Sequence, residues 1–221
     1  MKFLIPVLVA LLCSPALFAE PGSRPLKVTA YDYHDYKNEN IESKTFRRFQ
    51  DGVYYDFEWS FDRSNPGEVI RTEIITDYFG NITRYSTTTF VPTTESFLVV
   101  QQQRFDPGVT PPALYDTLDY SPPIVKLTGA LIPGIAWGEA GHIFSTLSEE
   151  SFYTDKLEIL AVEDVSVTAG DFDDCLKIHS VGQYGNEPYT RMDWFCPEMG
   201  LVKRIHNGRV LIDLASVSYG E

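Results

Sequence analysis

The chain has 221 residues, 14% of them aromatic, and a formal net charge of −13 at pH 7. A surface with this charge repels nucleic acid and anionic headgroups, which argues against both as partners. The aromatic content, together with abundant Thr, Val and Ile, favours sheet over helix. After an N-terminal leader, about 200 residues remain, enough for one β domain or two small ones.

Residues 1–19 have the features of a signal peptide. Lys2 provides a positive charge, residues 3–12 form an apolar run too short to span a bilayer, and small residues before position 20 offer cleavage sites. Cys13 would be acylated in a lipoprotein, but Leu12 precedes it where the lipoprotein peptidase needs a small residue. We therefore expect ordinary export to the periplasm or the exterior, with no integral membrane span.

The first hairpin of the sequence is predicted to turn at Asp51-Gly52. Its register places Phe46 opposite Phe57 on the buried side. The same register places Arg47 opposite Asp56 on the solvent side. Because the apolar and the charged pair agree, they fix the alignment of the two strands.

Aromatic side chains alternate with polar ones along the second strand of this hairpin. A strict period of two is typical of a strand with one buried face. We interpret this stripe as part of a ligand-binding face, formed by Tyr55, Phe57, Trp59 and Phe61. Further strands are predicted at residues 68–79, 82–91 and 96–105, with a turn at Gly80-Asn81 between the first two.

Residues 106–133 break this pattern because they are rich in proline. Proline cannot donate to a β ladder, so we expect neither an interior strand nor a helix here. The segment also carries many apolar side chains, which a solvent-exposed linker would not. We predict a cover across one face of the sheet or over its open mouth, and the alternative is a movable flap above a ligand site.

The second half, residues 134–221, is predicted to resume the hairpins. Strands are expected at 136–147 and 152–167, followed by a central hairpin and a last hairpin that turns at Asn207-Gly208. The last turn is predicted to pair Ile205 with Val210, Lys203 with Ile212 and Leu201 with Leu214.

The central hairpin has a Gly185-Asn186 turn. If Tyr184 and Glu187 flank it, Cys175 falls directly opposite Cys196 in a non-hydrogen-bonded pair, whose Cα atoms lie about 4.5 Å apart. We predict a cross-strand disulfide, which suits an oxidising compartment. A four-residue loop would displace the pairing by one step. The mixed pattern of apolar residues leaves open whether both faces are covered or a bulge shifts the register.

Three segments resemble a family of uncharacterised exported bacterial β-sheet proteins. They are PGIAW at 133–137, VTAGDFDDCLK at 167–177 and WFCPEMGLVK at 194–203. The family pattern is P-G-x-x-W, V-x-A-G-x-F-x-x-C-L-K and W-[FY]-x-P-x-x-G-L-V-K, from which Asp171 departs where Thr or Ser is usual. The resemblance spans residues 120–205 and implies a fold similar to the half-open β-barrels of periplasmic lipoprotein carriers such as LolA and LolB. It implies no functional residue.

Residues with catalytic or metal-binding potential form no recognisable motif in the sequence. The histidines lack zinc spacing, the serines lack a G-x-S-x-G context, and strand alternation would split the acidic cluster at 171–174 between two faces. We therefore predict no catalytic residue, no metal and no cofactor, although the many carboxylates leave open a glycosidase-type pair. The histidines are His34, His142, His179 and His206.

These patterns together predict an all-β fold. We expect an antiparallel, strongly curved sheet or half-open barrel in mostly up-and-down order, as one domain over residues 20–221, with hairpin sets at 20–105 and 134–221 and a Pro-rich cover between them. This architecture favours a non-enzymatic binding or carrier module for an apolar or amphiphilic ligand in the cell envelope. The alternatives are an envelope interaction or structural protein and a polysaccharide-acting enzyme with carboxylates on the concave face.

Overall fold

A computed structural model of the protein describes residues 31–32, 41–50 and 53–220. The predicted signal peptide, His34 and the Asp51-Gly52 turn lie outside the described residues.

Within the described residues, twelve antiparallel strands close into a barrel and two short strands, β1 and β8, form a separate pair. Most neighbours in the barrel are consecutive in sequence, which confirms the predicted all-β, up-and-down antiparallel order. The strands are β1 (Tyr31–Asp32), β2 (Ile41–Gln50), β3 (Val53–Asp62), β4 (Val69–Thr76), β5 (Ile82–Pro92), β6 (Ser96–Asp106), β7 (Ala113–Thr128), β8 (Ala130–Leu131), β9 (Ala136–Ser145), β10 (Ser151–Val167), β11 (Gly170–Tyr184), β12 (Glu187–Cys196), β13 (Gly200–His206) and β14 (Arg209–Tyr219).

The barrel is closed, so the predicted half-open form is wrong. The last strand, β14, returns to pair with β2, and β9 pairs with β7 on one side and with β10 on the other. The β14–β2 pairing joins strands that are distant in sequence, and each barrel strand of the described chain is paired on both sides. A closed barrel has no exposed strand edge.

Residues 113–128 of the Pro-rich segment form the barrel strand β7, so the prediction of a cover over 106–133 is wrong for this part. Strand β7 pairs with β6 and with β9. Its ladder to β6 is interrupted between Asp119 and Ile124, and its ladder to β9 ends at Ser121. The adjacent prolines 122 and 123 therefore fall where no ladder donor is needed, which is how a strand accommodates proline.

The first hairpin has the predicted register. Phe46 pairs with Phe57, both side chains are buried, and their ring centroids lie 5.1 Å apart. Arg47 pairs with Asp56 on the outside of the barrel, where the Nε–Oδ1 distance is 3.2 Å. The exposed ion pair contributes little to stability, so the aromatic pair fixes the alignment.

The last hairpin follows the prediction only next to its turn. Ile205 pairs with Val210 as expected, but a β-bulge follows. Beyond the bulge, Arg204 pairs with Ile212, and Lys203 pairs with Asp213 instead of Ile212. The extra residue on β14 is Leu211, and a bulge of this kind shifts every later pair by one position.

The central hairpin also has the predicted register, and its cysteines form a disulfide. The Cα atoms of Cys175 and Cys196 lie 4.1 Å apart. The ladder between β11 and β12 begins with the pair of Tyr184 and Glu187 and ends with the pair of Leu176 and Phe195, and it contains no bulge. Cys175 and Leu176 point to opposite faces, and both are fully buried. Of the two explanations for the mixed apolar pattern, coverage of both faces is therefore correct for this hairpin.

We expect the Cys175→Ala/Cys196→Ala double variant to lose roughly 3 kcal/mol of unfolding free energy, because the disulfide closes a chain segment with a sequence separation of 21. Urea unfolding of both proteins measures the difference. Reduction of the wild-type protein should lower its urea midpoint to that of the variant. A midpoint that does not change on reduction would show that the bond adds no stability.

Candidate ligand cavity inside the barrel

A cavity of about 660 Å³ lies inside the barrel. Its lining residues come from β2–β7 and β10–β13, so strands surround it on all sides. Much of the wall is apolar. The larger apolar side chains that line it include Trp59, Phe61, Phe90, Phe97, Val99, Ile124, Leu127, Leu157, Phe195 and Leu201.

The cavity reaches the protein surface at the turn between β3 and β4. Asn65, Pro66 and Gly67 border it, and all three are exposed. This turn is held by the backbone hydrogen bond from Glu68 N to Asn65 O (3.2 Å) and by a side-chain hydrogen bond from Asn65 Nδ2 to Glu68 Oε2 (2.8 Å). The cavity therefore has an opening with a defined rim.

The aromatic stripe of β3 is divided between two cavities. Trp59 and Phe61 line the large cavity, while Phe57 and Trp59 line a smaller one of about 180 Å³. Tyr55 lines neither of them. Trp59, Arg71 and Arg204 border both cavities, so these three side chains form the wall between them.

A chain of five alternating charges crosses one side of the interior. Asp155 lies between Lys126 (3.5 Å) and Arg191 (3.7 Å), and its side chain is fully buried. Asp193 lies between Arg191 (3.3 Å) and Arg204, which donates two hydrogen bonds of 2.7 Å to it. Paired charges of this kind are tolerated in an interior because each one is compensated.

The surroundings of these groups shift their pKa values. Burial, followed by the nearby Arg191 charge, lowers the pKa of Lys126 to about 8. Burial alone would raise the pKa of Asp193, but the Arg204 and Arg191 guanidiniums lower it below its ordinary value. Asp193 is therefore ionised at neutral pH, and it holds Arg204 in place at the wall between the cavities.

Two further cations lie in the interior without a carboxylate partner. Among the described residues, no ion pair includes Lys44 or Arg71. Lys44 is 1% exposed, and its Nζ donates hydrogen bonds to the carbonyl oxygens of Met199 and Leu201. Burial, and then the Arg63 and Arg71 charges, lower the pKa of Lys44 to about 7.

The cavity wall is basic although the protein is acidic. Six basic and two acidic side chains line the large cavity, whereas the whole chain has 18 Lys and Arg against 31 Asp and Glu. Asp155 and Glu73 lie close behind and reduce this excess without cancelling it. The basic side chains are Lys44, Arg63, Arg71, Lys126, Arg191 and Arg204, and the acidic ones are Glu68 and Asp193.

The sequence interpretation missed these charged residues, although one signal was present. The central hairpin places Ile178 opposite Asp193 and Leu176 opposite Phe195. Since side chains alternate, Arg191 and Asp193 lie on the same face as Phe195, which turns into the barrel. Charged residues on an otherwise apolar strand face indicate an interior polar site. The strands that bring the partners of Arg191 and Asp193 close to them are β7, β10 and β13, and their arrangement depends on the closed topology.

Potential catalytic and metal-binding residues are dispersed over the described chain. Within residues 31–32, 41–50 and 53–220, no group of three or more His, Cys, Asp or Glu side chains is arranged to hold a metal ion. Among the same residues, no helix combines the length and apolar character that a membrane crossing requires. His142 contacts Glu150 on the outside of the barrel, and the half-buried His206 stacks on Tyr189 with ring centroids 6.1 Å apart.

The fold and the site define an all-β barrel protein with an internal, basic and largely apolar cavity. No protein-family model and no curated protein matches the chain. Among solved structures, it is similar to a Bacteroides fragilis protein that is inferred to be exported and has a YmcC-like fold. The TM-score is 0.55 at 13% identity, over 80% of this chain and 96% of the other. This likeness shows a shared fold, and the resemblance of the three sequence motifs to an exported family stays a prediction.

We expect the unfolding free energy of the wild-type protein, relative to a Lys44→Met variant, to rise by up to about 1.4 kcal/mol for each pH unit above 7. The folded-state pKa of Lys44 is about 7 and its ordinary value is 10.5. Between these values the unfolded chain holds a proton that the folded protein has released, so stability increases with pH. Below pH 7 both states are protonated and the difference becomes constant.

Urea unfolding at pH 6, 7.5 and 9 measures this difference. Lys156→Met is the matched control, because it removes the same charge from an exposed position of β10. If the difference in unfolding free energy between wild type and Lys44→Met is the same at pH 7.5 and pH 9, the placement of Lys44 in the interior is contradicted.

Proposed function

We propose that this protein is an exported, non-enzymatic binding or carrier protein that holds an amphiphilic ligand inside its barrel. The observation that carries this proposal is the cavity of about 660 Å³, whose wall combines aromatic and aliphatic side chains with a few charged groups. Ligand pockets typically have volumes of about 300–1,000 Å³ and this mixture of a largely apolar wall with a few polar groups.

Three observations support export. The first 19 residues have the pattern of a signal peptide, and the similar Bacteroides fragilis structure is that of a protein inferred to be exported. The disulfide between Cys175 and Cys196 is consistent with an oxidising compartment.

The arrangement of the cavity supports binding rather than a purely structural interior. Eight strands already give a barrel that side chains can fill, and twelve strands make a wider one. Here the opening at Asn65–Gly67 connects the remaining space with the surface. An apolar chain can enter at this rim and displace water from the aromatic wall. Its binding is favourable in proportion to the apolar area that is removed from water.

A second candidate function is that of an envelope interaction protein. Tyr78 and Phe79, at the turn between β4 and β5, are 77% and 85% exposed and pack only edge to face against each other. Exposed aromatic groups of this kind are common in protein interfaces. The two functions are compatible, because this turn lies outside the cavity lining.

Uptake of N-phenyl-1-naphthylamine, a neutral dye that fluoresces in apolar surroundings, tests the proposal. We expect saturable binding to the wild-type protein. Val99→Trp should abolish it, because Val99 lines the cavity and a larger side chain fills the space. Val181→Trp is the matched control, since Val181 is exposed on the outside of β11 and should leave binding unchanged.

Because overpacking costs about 1–3 kcal/mol, circular dichroism and a melting curve must show that Val99→Trp is folded, and the smaller Val99→Phe change provides a second test. A wild-type protein that takes up no dye would overturn the proposal. Equal binding by the wild type and both folded Val99 variants would also overturn it, because the dye would then bind elsewhere. Native mass spectrometry of the exported protein should in addition show a co-purifying small molecule.

A further inference from the structure

The guanidinium of Arg71 lies in the cavity wall between two aromatic rings. Its Cζ is 4.1 Å from the centroid of the Trp59 ring and 5.3 Å from that of Phe90. Its Nη2 donates a hydrogen bond of 3.2 Å to Thr88 Oγ1. The ring contacts and this hydrogen bond fix the position of the charge, so the guanidinium is oriented before any ligand arrives.

Arg71 has hydrogen-bonding capacity that the described residues do not use. Its Nε is shielded from solvent and has no hydrogen-bond partner among them, and no carboxylate lies within ion-pair distance of the side chain. The nearby Glu73 charge offsets part of the cost of burying this guanidinium, and an anion bound to it would compensate the charge further. Arg204, which borders the same wall, differs in this respect because Asp193 neutralises it.

Lys44 provides a second cation in the same cavity. Its side chain lines the cavity, and within the part of the chain that the structure describes its Nζ donates hydrogen bonds to the backbone carbonyls of Met199 and Leu201. Lys44 and Arg71 line the same cavity, and burial, then the Arg63 and Arg71 charges, lower the pKa of Lys44. A negative charge placed near both would compensate Arg71 and restore the charge on Lys44.

An apolar surface begins directly beside Arg71. Phe90, which contacts the guanidinium, stacks on Phe97 with ring centroids 4.8 Å apart and an interplanar angle of 5°. Val99 and Ile124 belong to the same buried cluster and line the cavity. A ligand with a charged head at Arg71 could therefore lay an alkyl chain along this surface.

We propose that the cavity binds an anionic amphiphile, with a carboxylate or phosphate head at Arg71 and Lys44 and an apolar tail along Phe90 and Phe97. This inference rests on the proposed function and names the ligand class of the same cavity. Arginine is suited to the role because its planar donor fork matches carboxylate and phosphate oxygens. The negative outer surface does not prevent binding, since the local sign of charge in a low-dielectric cleft determines which ion is favoured there.

Competition for bound N-phenyl-1-naphthylamine tests this class directly. The competitors are tetradecanoic acid, tetradecyl phosphate, 1-tetradecanol and inorganic phosphate, measured at pH 7 and constant ionic strength. We expect the two anionic amphiphiles to displace the dye at concentrations about ten-fold or more below that of the alcohol, as a charge-assisted hydrogen bond predicts. Inorganic phosphate alone should not displace it, because it lacks the tail.

The Arg71→Met variant should lose this preference, so that the two anionic competitors displace the dye at concentrations similar to that of 1-tetradecanol. The variant breaks no ion pair among the described residues but removes the hydrogen bond to Thr88 and two ring contacts, so circular dichroism must show that it is folded. Arg71→Lys should retain most of the preference because it keeps the charge. The matched control is Arg209→Met, which changes the net charge equally at an exposed position outside the cavity.

The outcomes separate this inference from the proposed function. If the acid, the phosphate ester and the alcohol displace the dye equally, the cavity binds amphiphiles but selects no anion, and this inference fails alone. If Arg71→Met keeps the full preference, Arg71 is not the head-group site, and the inference also fails. If inorganic phosphate displaces the dye as well as the phosphate ester does, the ligand is a free anion rather than an amphiphile. If no competitor displaces the dye, the proposed function itself fails.

Discussion

The twelve strands close into a barrel that is too wide to be filled by its apolar side chains alone. This width determines how the interior of the protein is arranged. A barrel of about eight strands is just filled by side chains, and one of 16 or more leaves an aqueous channel. The present barrel lies between these limits and divides its space into a large and a small cavity. Trp59, Arg71 and Arg204 form the wall between them.

The charges in this interior differ in how they are compensated. Lys126, Asp155, Arg191, Asp193 and Arg204 compensate each other across β7, β10, β12 and β13. These five side chains join four strands, and together they carry one net positive charge. Lys44 and Arg71 add two further cations that backbone carbonyls, a hydroxyl and aromatic rings solvate only in part. A protein with a net charge of −13 thus keeps a positive region where solvent screening is weakest.

Local features of this fold can be predicted from the sequence, and non-local ones cannot. The alternation along β3 and the turn at Gly185-Asn186 correctly predict the Phe46–Phe57 pair and the disulfide, because each depends on counting from one turn. The Pro-rich strand β7 was wrongly predicted to be a cover. Its adjacent prolines fall at interruptions in the ladders to β6 and β9, and these interruptions cannot be located before the positions of β6 and β9 are known. Closure depends on pairing between β14 and β2, at opposite ends of the chain. The basic cavity was missed for the same reason, since its charges come from separate strands.

The interior of the barrel is electropositive and open to the surface. Quenching of Trp59 fluorescence by iodide and by caesium tests this most directly, in a Trp137→Phe/Trp194→Phe variant that retains Trp59 as the remaining one of the three tryptophans. Trp59 lines both cavities and contacts Arg71. We predict an iodide-to-caesium ratio of quenching constants above that of free N-acetyltryptophanamide, despite the negative charge of the whole protein. A ratio equal to or below that of the free compound would show that the interior is not electropositive.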